Sequence, residues 1–493
     1  MGKSTKLFMW GNQPFRILME SRARDVLQVI APTVQPRALL VGVRMPEKTD
    51  GDSVCVEPED ENWGSKFFFD CAARAEYIYK THPDHLLFYG DALSMQNKPE
   101  NVRKKSVCKA VQEVTSMYDS QRGTVTFCGL PARVEGYHIV PVLQFNEAHL
   151  LEYPQLAAPI EFEDRVSPTG LLEATITCLL EEAADALGGR EPWRSFRTFR
   201  EDATAILRDA GSRFCTGITF ATSGVMPLGV FDTLNVISSL PYEGAEASGE
   251  LLFTYEKTEA VDIRIRLNQP VQLHDYKLAR KVIEMNGRDL LCVCHGAKGI
   301  SGLGALRAAD ADGVFRVTFS GHYKWDLYYK NRLLMKTAYG VPRLPSARLN
   351  KNVFGSNVRR IFPDIDGDAE QRLWCIVEAA MSQRHGTIIV VSAAAEEEAK
   401  RLNKQSLGIE PIRLTPNLVE RLSSIDGAVL INPKGICYAI GVILDGMATD
   451  EGDPSRGARY NSAIRYIASS KPHTMCLVVS EDGYVNLLPE LQP

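Results

Sequence analysis

The apolar positions in the last third of the chain change period in a regular order. Over Asp368–Gln383, Leu373, Ile376, Val377, Ala380 and Met381 recur at helical intervals and predict one buried helix face. Thr387–Val391 is then an unbroken β-branched run, the pattern of a strand covered on both faces. A second helix is expected over Ala393–Asn403. Its Glu396–Glu398 precede Lys400 and Arg401, an order that suits the helix dipole, and these charges read as a solvated face. A short helix over Asn417–Ile425 should deliver Asp426. Strands Gly427–Ile431 and Ile436–Leu444 follow, joined by the turn sequence Asn432-Pro433-Lys434-Gly435. A helix over Gly457–Ser470 and strands Met475–Val479 and Tyr484–Leu488 complete the pattern. The expected class is α/β (mixed α+β), with a C-terminal mixed sheet flanked by helices.

Upstream the pattern divides once more. Residues 1–155 mix strand-like runs (Ala38–Val43, Gly123–Phe127, Tyr137–Leu143) with helices near Ala72–Lys80 and Val107–Tyr118, and Pro154 and Pro159 mark a break. Residues 156–352 open with a helix over Gly170–Leu187. They continue with strands at Leu251–Tyr255, Val261–Leu267, Leu290–Cys294 and Val314–Phe319. Gly340–Pro345 and Asn350-Lys351-Asn352 read as an extended linker. The expected organisation is one or two α/β domains over 1–155 and 156–352, then a last domain over 353–493. The glycine-rich stretch His295–Gly304 fits neither common phosphate-loop pattern and reads as a connecting loop.

Bulk properties narrow the class. With 493 residues the chain is too long for one core. Hydrophobic content of 45% with 24% charged residues is that of a globular protein. A net charge of −5 gives no general reason to expect nucleic acid or a membrane as partner. Met1–Lys6 lacks a signal-peptide core, and Lys6 departs from the myristoylation pattern. No apolar run reaches membrane-spanning length, so a cytoplasmic protein is expected. Eleven cysteines occur without CxxC spacing and read as reduced thiols. The one cluster, Cys292-Val293-Cys294-His295, alternates like a strand rather than a chelate.

Two short segments carry candidate chemistry. Asp426 is a lone carboxylate followed by Gly427 where an apolar strand begins. Gly457 opens a helix that holds Arg459 in its first turn. A carboxylate can hold a hard cation, and a helix start with an added guanidinium can hold phosphates. Taken singly, Asp-Gly before a strand is a common turn and Arg459 a surface charge. His385 reads as a helix-end residue. Tyr460 and Tyr466, six residues apart on one helix, face different ways, so at least one belongs to the core.

Together these residues resemble the diadenylate cyclase (DAC) domain, which joins two ATP molecules into cyclic di-AMP. The carriers are His385-Gly386-Thr387, Asp426-Gly427-Ala428 as the family's DGA motif, the helix start Gly457–Ala463 in place of its G-T-R-H-R, and Val478-Val479-Ser480-Glu481. The preceding residues, through Gly299–Leu303, Trp325-Asp326-Leu327 and Gly340–Pro345, resemble a DACNV-type sensor region. The resemblance implies Asp426 and Arg459 as catalytic residues, and Asp426 as ligand of Mg²⁺ or Mn²⁺. It implies nucleotide contacts at Gly427, Ala428, Gly457, Ala458, Tyr460, Asn461, Ser480 and Glu481. ATP is the implied ligand. Because each such domain holds one ATP, a homodimer or higher homo-oligomer is required.

One motif departs from the family. Ala458, Tyr460 and Asn461 stand where it has threonine, histidine and a second arginine; Gly457 and Arg459 remain. Arg456 and Arg465 are the nearby cations that could compensate. The alternative reading is a catalytically silent, DAC-like nucleotide-binding sensor module.

Overall fold

The structure is a computed structural model. It describes residues 12–59, 65–88, 90–162, 165–188, 199, 202–223, 229–256, 258–287, 290–308, 310–345, 349, 351–381, 386–422, 425–446, 458–469, 473–479 and 485–489. The chain forms two compact units, residues 1–344 and 345–493.

In the first unit two largely apolar strands, Arg37–Arg44 and Tyr137–Asn146, pair antiparallel with Val41 opposite Val140. Strands Val54–Glu57, Thr124–Cys128 and Ala132–Val134 extend this sheet. Leu39, Val41, Val43, Val140 and Val142 point to one face. There they meet Cys71, Ala75 and Ile78 of the helix Cys71–Thr81, and Val107, Ala110 and Val111 of the helix Ala92–Asp119. The latter helix starts fifteen residues before the expected Val107. Asp91 caps it by accepting the Ser94 N–H at 2.7 Å, and Pro99 lies within it. The helices Asn12–Ile30 and Leu171–Leu187 are tied by a forked bond from Arg22 to Glu182, at 3.0 and 3.2 Å.

The second sheet of this unit has eight strands in the order 341–343, 332–338, 324–329, 315–321, 248–253, 291–294, 300–306, 261–271. Only 248–253 and 291–294 pair parallel. Two expectations are corrected here. Val341–Arg343, taken for linker, is a strand paired with Arg332–Ala338. Part of the glycine-rich stretch taken for a loop is the strand Ile300–Leu306. Its glycines have a packing reason: a Cβ on Gly302 would lie 2.2 Å from the Ile265 carbonyl oxygen, and one on Gly304 2.4 Å from that of Asp262. The pairing slips twice along this strand, which brings the two backbones too close for side chains. Trp325 is fully buried, with its indole N–H donating to Asn235 Oδ1 at 2.8 Å and its ring edge-on to Phe231.

The second unit is a six-stranded sheet ordered 407–413, 436–442, 428–431, 387–392, 474–479, 485–488. Strands 387–392 and 428–431 run parallel, and their other neighbours are antiparallel. All six residues of Thr387–Ser392 are buried, as the unbroken apolar run requires. Ile389, Val391, Val429, Ile431 and Leu477 pack against Phe354, Leu373, Trp374 and Val377 from the helices Lys351–Ile361 and Gly367–Met381. On the opposite face Ile388, Val390, Ala428 and Leu430 pack against Ala395 and Leu402, and against Ala463 and Tyr466 of the helix Ala458–Ser469. Helices thus cover both faces of a mixed sheet.

Three details differ from the sequence reading in this unit. Lys351 and Asn352, read as linker, lie in the first turn of a helix. Leu407–Arg413 forms an edge strand that its exposed, non-alternating residues concealed. Glu398, read as solvated, is buried.

Candidate functional site

Register decides which ends of the strands meet. Ile388 lies opposite Ala428, Thr387 opposite Val479, and Ala428 opposite Val442. The starts of strands 387–392 and 428–431 therefore share one end of the sheet with the finishes of 436–442 and 474–479. Asp426 and Gly427 immediately precede Ala428 and belong to that end.

The helix Ala458–Ser469 is brought to the same end by its exit. It finishes four residues before His473, and the next residue, Thr474, pairs with Ser392 at the far end of the sheet. Twelve helical residues span about 18 Å, close to the roughly 20 Å of a six-residue strand. With Ala463 and Tyr466 packed over Ile388, Val390 and Val478, its first turn, bearing Arg459, is directed toward the end that holds Asp426.

The individual residues follow from this frame. Asp426 is exposed and lies in a bend after the helix Pro416–Leu422, which stops short of the expected Ile425. Its Oδ1 accepts the Gly427 N–H at 3.1 Å. Gly427 has φ +105°, and a Cβ there would lie 2.5 Å from the carbonyl carbon of Gly441. Only glycine fits, and the neighbour that demands it is the adjacent strand. Ala428 is fully buried, its methyl group inside the core. Ala458 is exposed, and Arg459, Tyr460 and Asn461 are half-buried in the first turn of the helix. Tyr466 is the core tyrosine of the pair. Arg465 is exposed. Gly457, Ser480, Glu481, His385 and Arg456 lie outside the described residues.

Thr387 was read in the sequence only as part of the His385-Gly386-Thr387 motif, not as a site residue. Its hydroxyl is buried at the same sheet end with no hydrogen-bond partner among the described residues. A threonine opening a β-branched run gives no signal of this, since the run reads as strand whatever its first hydroxyl does.

Beside the helix Ala458–Ser469 runs a chain of polar contacts. Tyr466 donates to Glu398 Oε2 at 3.1 Å, and Arg401 donates to Glu398 through Nε at 3.0 Å and Nη2 at 2.7 Å. Arg401 also forks onto Asp445, Nη1 to Oδ2 at 2.5 Å and Nη2 to Oδ1 at 2.9 Å. Hydrogen bonding to Arg401 holds the Asp445 carboxyl below its ordinary range. Burial, then the Glu398 charge, pushes the Tyr466 phenol well above its own.

Among the described residues no three His, Cys, Asp or Glu side chains gather as a metal site. A single exposed carboxylate still suits Mg²⁺ or Mn²⁺ arriving with a nucleotide, because such ions take one or two protein carboxylates and fill their shell with phosphate oxygens and water. The cavity of about 40 Å³ bordered by Phe127, Tyr153, Pro154, Thr169, Leu172 and Glu173 lies in the first unit, and is sized for water rather than a nucleotide.

Residues 376–490 match the family model described as DisA bacterial checkpoint controller nucleotide-binding, named DAC. The C-terminal unit carries a DAC domain. Upstream, residues 9–215 match the model described as Probable sensor domain DACNG, and residues 228–331 the one described as Probable sensor domain DACNH. The sequence resemblance points instead to a DACNV-type region, and the models that match are DACNG and DACNH. Solved structures similar to part of the chain include DacA from Staphylococcus aureus as a double mutant. It is 19% identical over 25% of this chain and 83% of that one, with a TM-score of 0.22. Another is a hypothetical membrane spanning protein from Bacillus cereus, 25% identical over 28% of this chain and 68% of that one, also with a TM-score of 0.22. No curated protein matches the chain. No described helix of the present chain is long and apolar enough to cross a membrane. The chain thus carries two regions that match probable sensor-domain models, followed by a DAC domain.

Proposed function

We propose that the DAC domain, within residues 353–493, condenses two ATP molecules into cyclic di-AMP and two pyrophosphates, under control of the sensor region before it. The observation that carries this reading is the shared sheet end of Asp426 and the Arg459-bearing helix start. In the reaction the 3′-oxygen of each ATP forms a bond to the α-phosphorus of the other. The bond from that phosphorus to the pyrophosphate oxygen breaks, and the 3′-hydroxyl proton is lost.

Such chemistry runs on positioning and charge neutralisation. Arg459 and the positive end of the helix dipole hold the triphosphate. Asp426, exposed at the rim, orients the attacking hydroxyl and carries the metal. Mg²⁺ or Mn²⁺ held by Asp426 with the phosphates supplies further charge neutralisation. Gly427 and Ala428 keep the backbone there narrow, and Ser480 and Glu481, next in sequence after Val479, are proposed to add nucleotide contacts. Since one domain binds one ATP, two copies face each other during turnover.

The second reading is a silent nucleotide-binding module. The substitution of the family's histidine and second arginine by Tyr460 and Asn461 favours it, because charge is lost where the triphosphate would sit. Incubating the full chain with ATP and Mg²⁺ or Mn²⁺ and resolving the products by chromatography separates the two. Cyclic di-AMP that vanishes in Asp426→Asn supports the cyclase. Tight ATP binding without product under either metal overturns it in favour of the silent module.

A further inference from the structure

The polar chain beside the nucleotide helix is a built clamp that neither the DAC motifs nor the sequence reading includes. Glu398 and Arg401 sit on the helix Ala395–Arg401, which belongs to neither motif. Asp445 and Tyr466, the residues they grip, lie on either side of the segment containing Arg459, Tyr460 and Asn461. The helix Ala458–Ser469, through Tyr466, and the chain leaving strand 436–442, through Asp445, are thereby fixed to the same short helix. Gly446 adds a third point, since a Cβ there would fall 2.7 Å from the backbone carbon and oxygen of Arg465, so the outgoing strand end presses on the helix itself.

The energetics favour a shape-defining role over a merely attractive one. Glu398 is 6% exposed, and a carboxylate so placed is costly unless its lone pairs are filled. Here Tyr466 and Arg401 fill them. An exposed ion pair is worth little by itself, and Arg401 with Asp445 is itself nearly half exposed, so the weight of the clamp lies on the buried Glu398. A planar guanidinium shared between a buried and an outer carboxylate constrains direction as well as distance.

We propose that Glu398 and Arg401 are positioning residues of the nucleotide site, holding the helix Ala458–Ser469 through Tyr466, and the chain after strand 436–442 through Asp445, so that Arg459 is presented to the triphosphate. The proposal rests on the nucleotide-binding reading above. Their loss acts through the helix they hold. ATP keeps its full binding energy when Arg459 is already in place; otherwise ordering that helix start consumes part of it.

The test is calorimetric titration of the full chain with ATP and Mg²⁺, comparing wild type, Arg401→Gln, Asp445→Asn, Arg459→Gln and the control Lys400→Gln. Asp445→Asn weakens only the outer half of the clamp, so it reports even if Arg401→Gln folds poorly. The expected result is at least tenfold weaker binding in Arg401→Gln, at least threefold in Asp445→Asn and no change in Lys400→Gln. Hydrogen exchange should accelerate in peptides covering 445–466 while peptides covering 387–392 stay protected, a split that general destabilisation would not give. Unchanged affinity in both Arg401→Gln and Asp445→Asn, with Arg459→Gln losing binding, overturns the clamp and leaves the nucleotide reading standing. Wild type that binds no ATP, or binding indifferent to Arg459→Gln, overturns the nucleotide reading and the clamp with it.

Discussion

Gly427 and Gly441 meet backbone to backbone, both at positive φ, where the motif bend passes the neighbouring strand. The second residue of the Asp-Gly-Ala motif is therefore fixed by the sheet before any ligand is considered. Gly427→Ala should destabilise the C-terminal unit by on the order of 2–4 kcal/mol, since a Cβ 2.5 Å from a backbone carbon cannot be relieved by a side-chain rotation. Asp426→Asn, at an exposed position, should change stability by less than about 0.5 kcal/mol. Urea unfolding of the two variants checks the contrast. Equal midpoints would refute it.

Tyr466 predicts an alkaline weakness. Its phenol is raised above the ordinary value of 10.0 by burial and then by Glu398, so the folded state disfavours the phenolate. The stability this represents is fully present below the unfolded value and is lost as pH climbs beyond it. Wild type should lose stability between pH 9 and 11, and Tyr466→Phe should lose less over the same interval. Urea midpoints at the two pH values measure the difference.

The cysteines predict slow chemistry. Burial pushes the thiols of Cys55, Cys71 and Cys292 up to about 12, and those of Cys108, Cys178 and Cys437 to about 11. Cys128, Cys215, Cys294 and Cys476 move in the same direction for the same first cause. At pH 8 these ten should react slowly with a chromogenic disulfide, leaving half-buried Cys375 the fastest. All eleven should react at once in denaturant. Several fast thiols in the native chain would contradict the packing described.

Trp325→Phe removes the indole N–H bonded to Asn235 and leaves the half-buried Asn235 amide oxygen without that donor. The expected loss is about 1–3 kcal/mol. Faster hydrogen exchange in peptides spanning 315–338 would show it, and unchanged exchange would remove the structural weight given to this contact.

Much of the second unit was legible because its apolar runs are long and unmixed. Thr387–Ser392 could be read as a doubly covered strand, and the turn Asn432–Gly435 fixed the following pair. What escaped was local in sequence but decided by partners far away. Leu407–Arg413 carries Gly408 and Pro411 and shows no alternation, so its edge pairing is not written in its own residues. Glu398 looks like its neighbours Glu396 and Glu397. Only Tyr466 and Arg401, brought together by tertiary packing, distinguish it. In the first unit Pro99 and the polar residues around it hid the first half of a 28-residue helix that capping by Asp91 and packing of its apolar face sustain. At the candidate site, residue types could be read from the sequence, but the reason for Gly427 and the buried hydroxyl of Thr387 could not.

The central strand of the DAC sheet has a consequence for synthesis. Thr387–Ser392 pairs with residues 428–431 on one side and 474–479 on the other, so a chain emerging N-terminus first exposes this β-branched run long before either edge is covered. A bare, apolar strand of that kind templates association with other copies. The ribosome must release residues 474–479 before the last edge of this strand closes. Truncations ending before residue 474 should thus accumulate as aggregates, a hazard set by strand order alone.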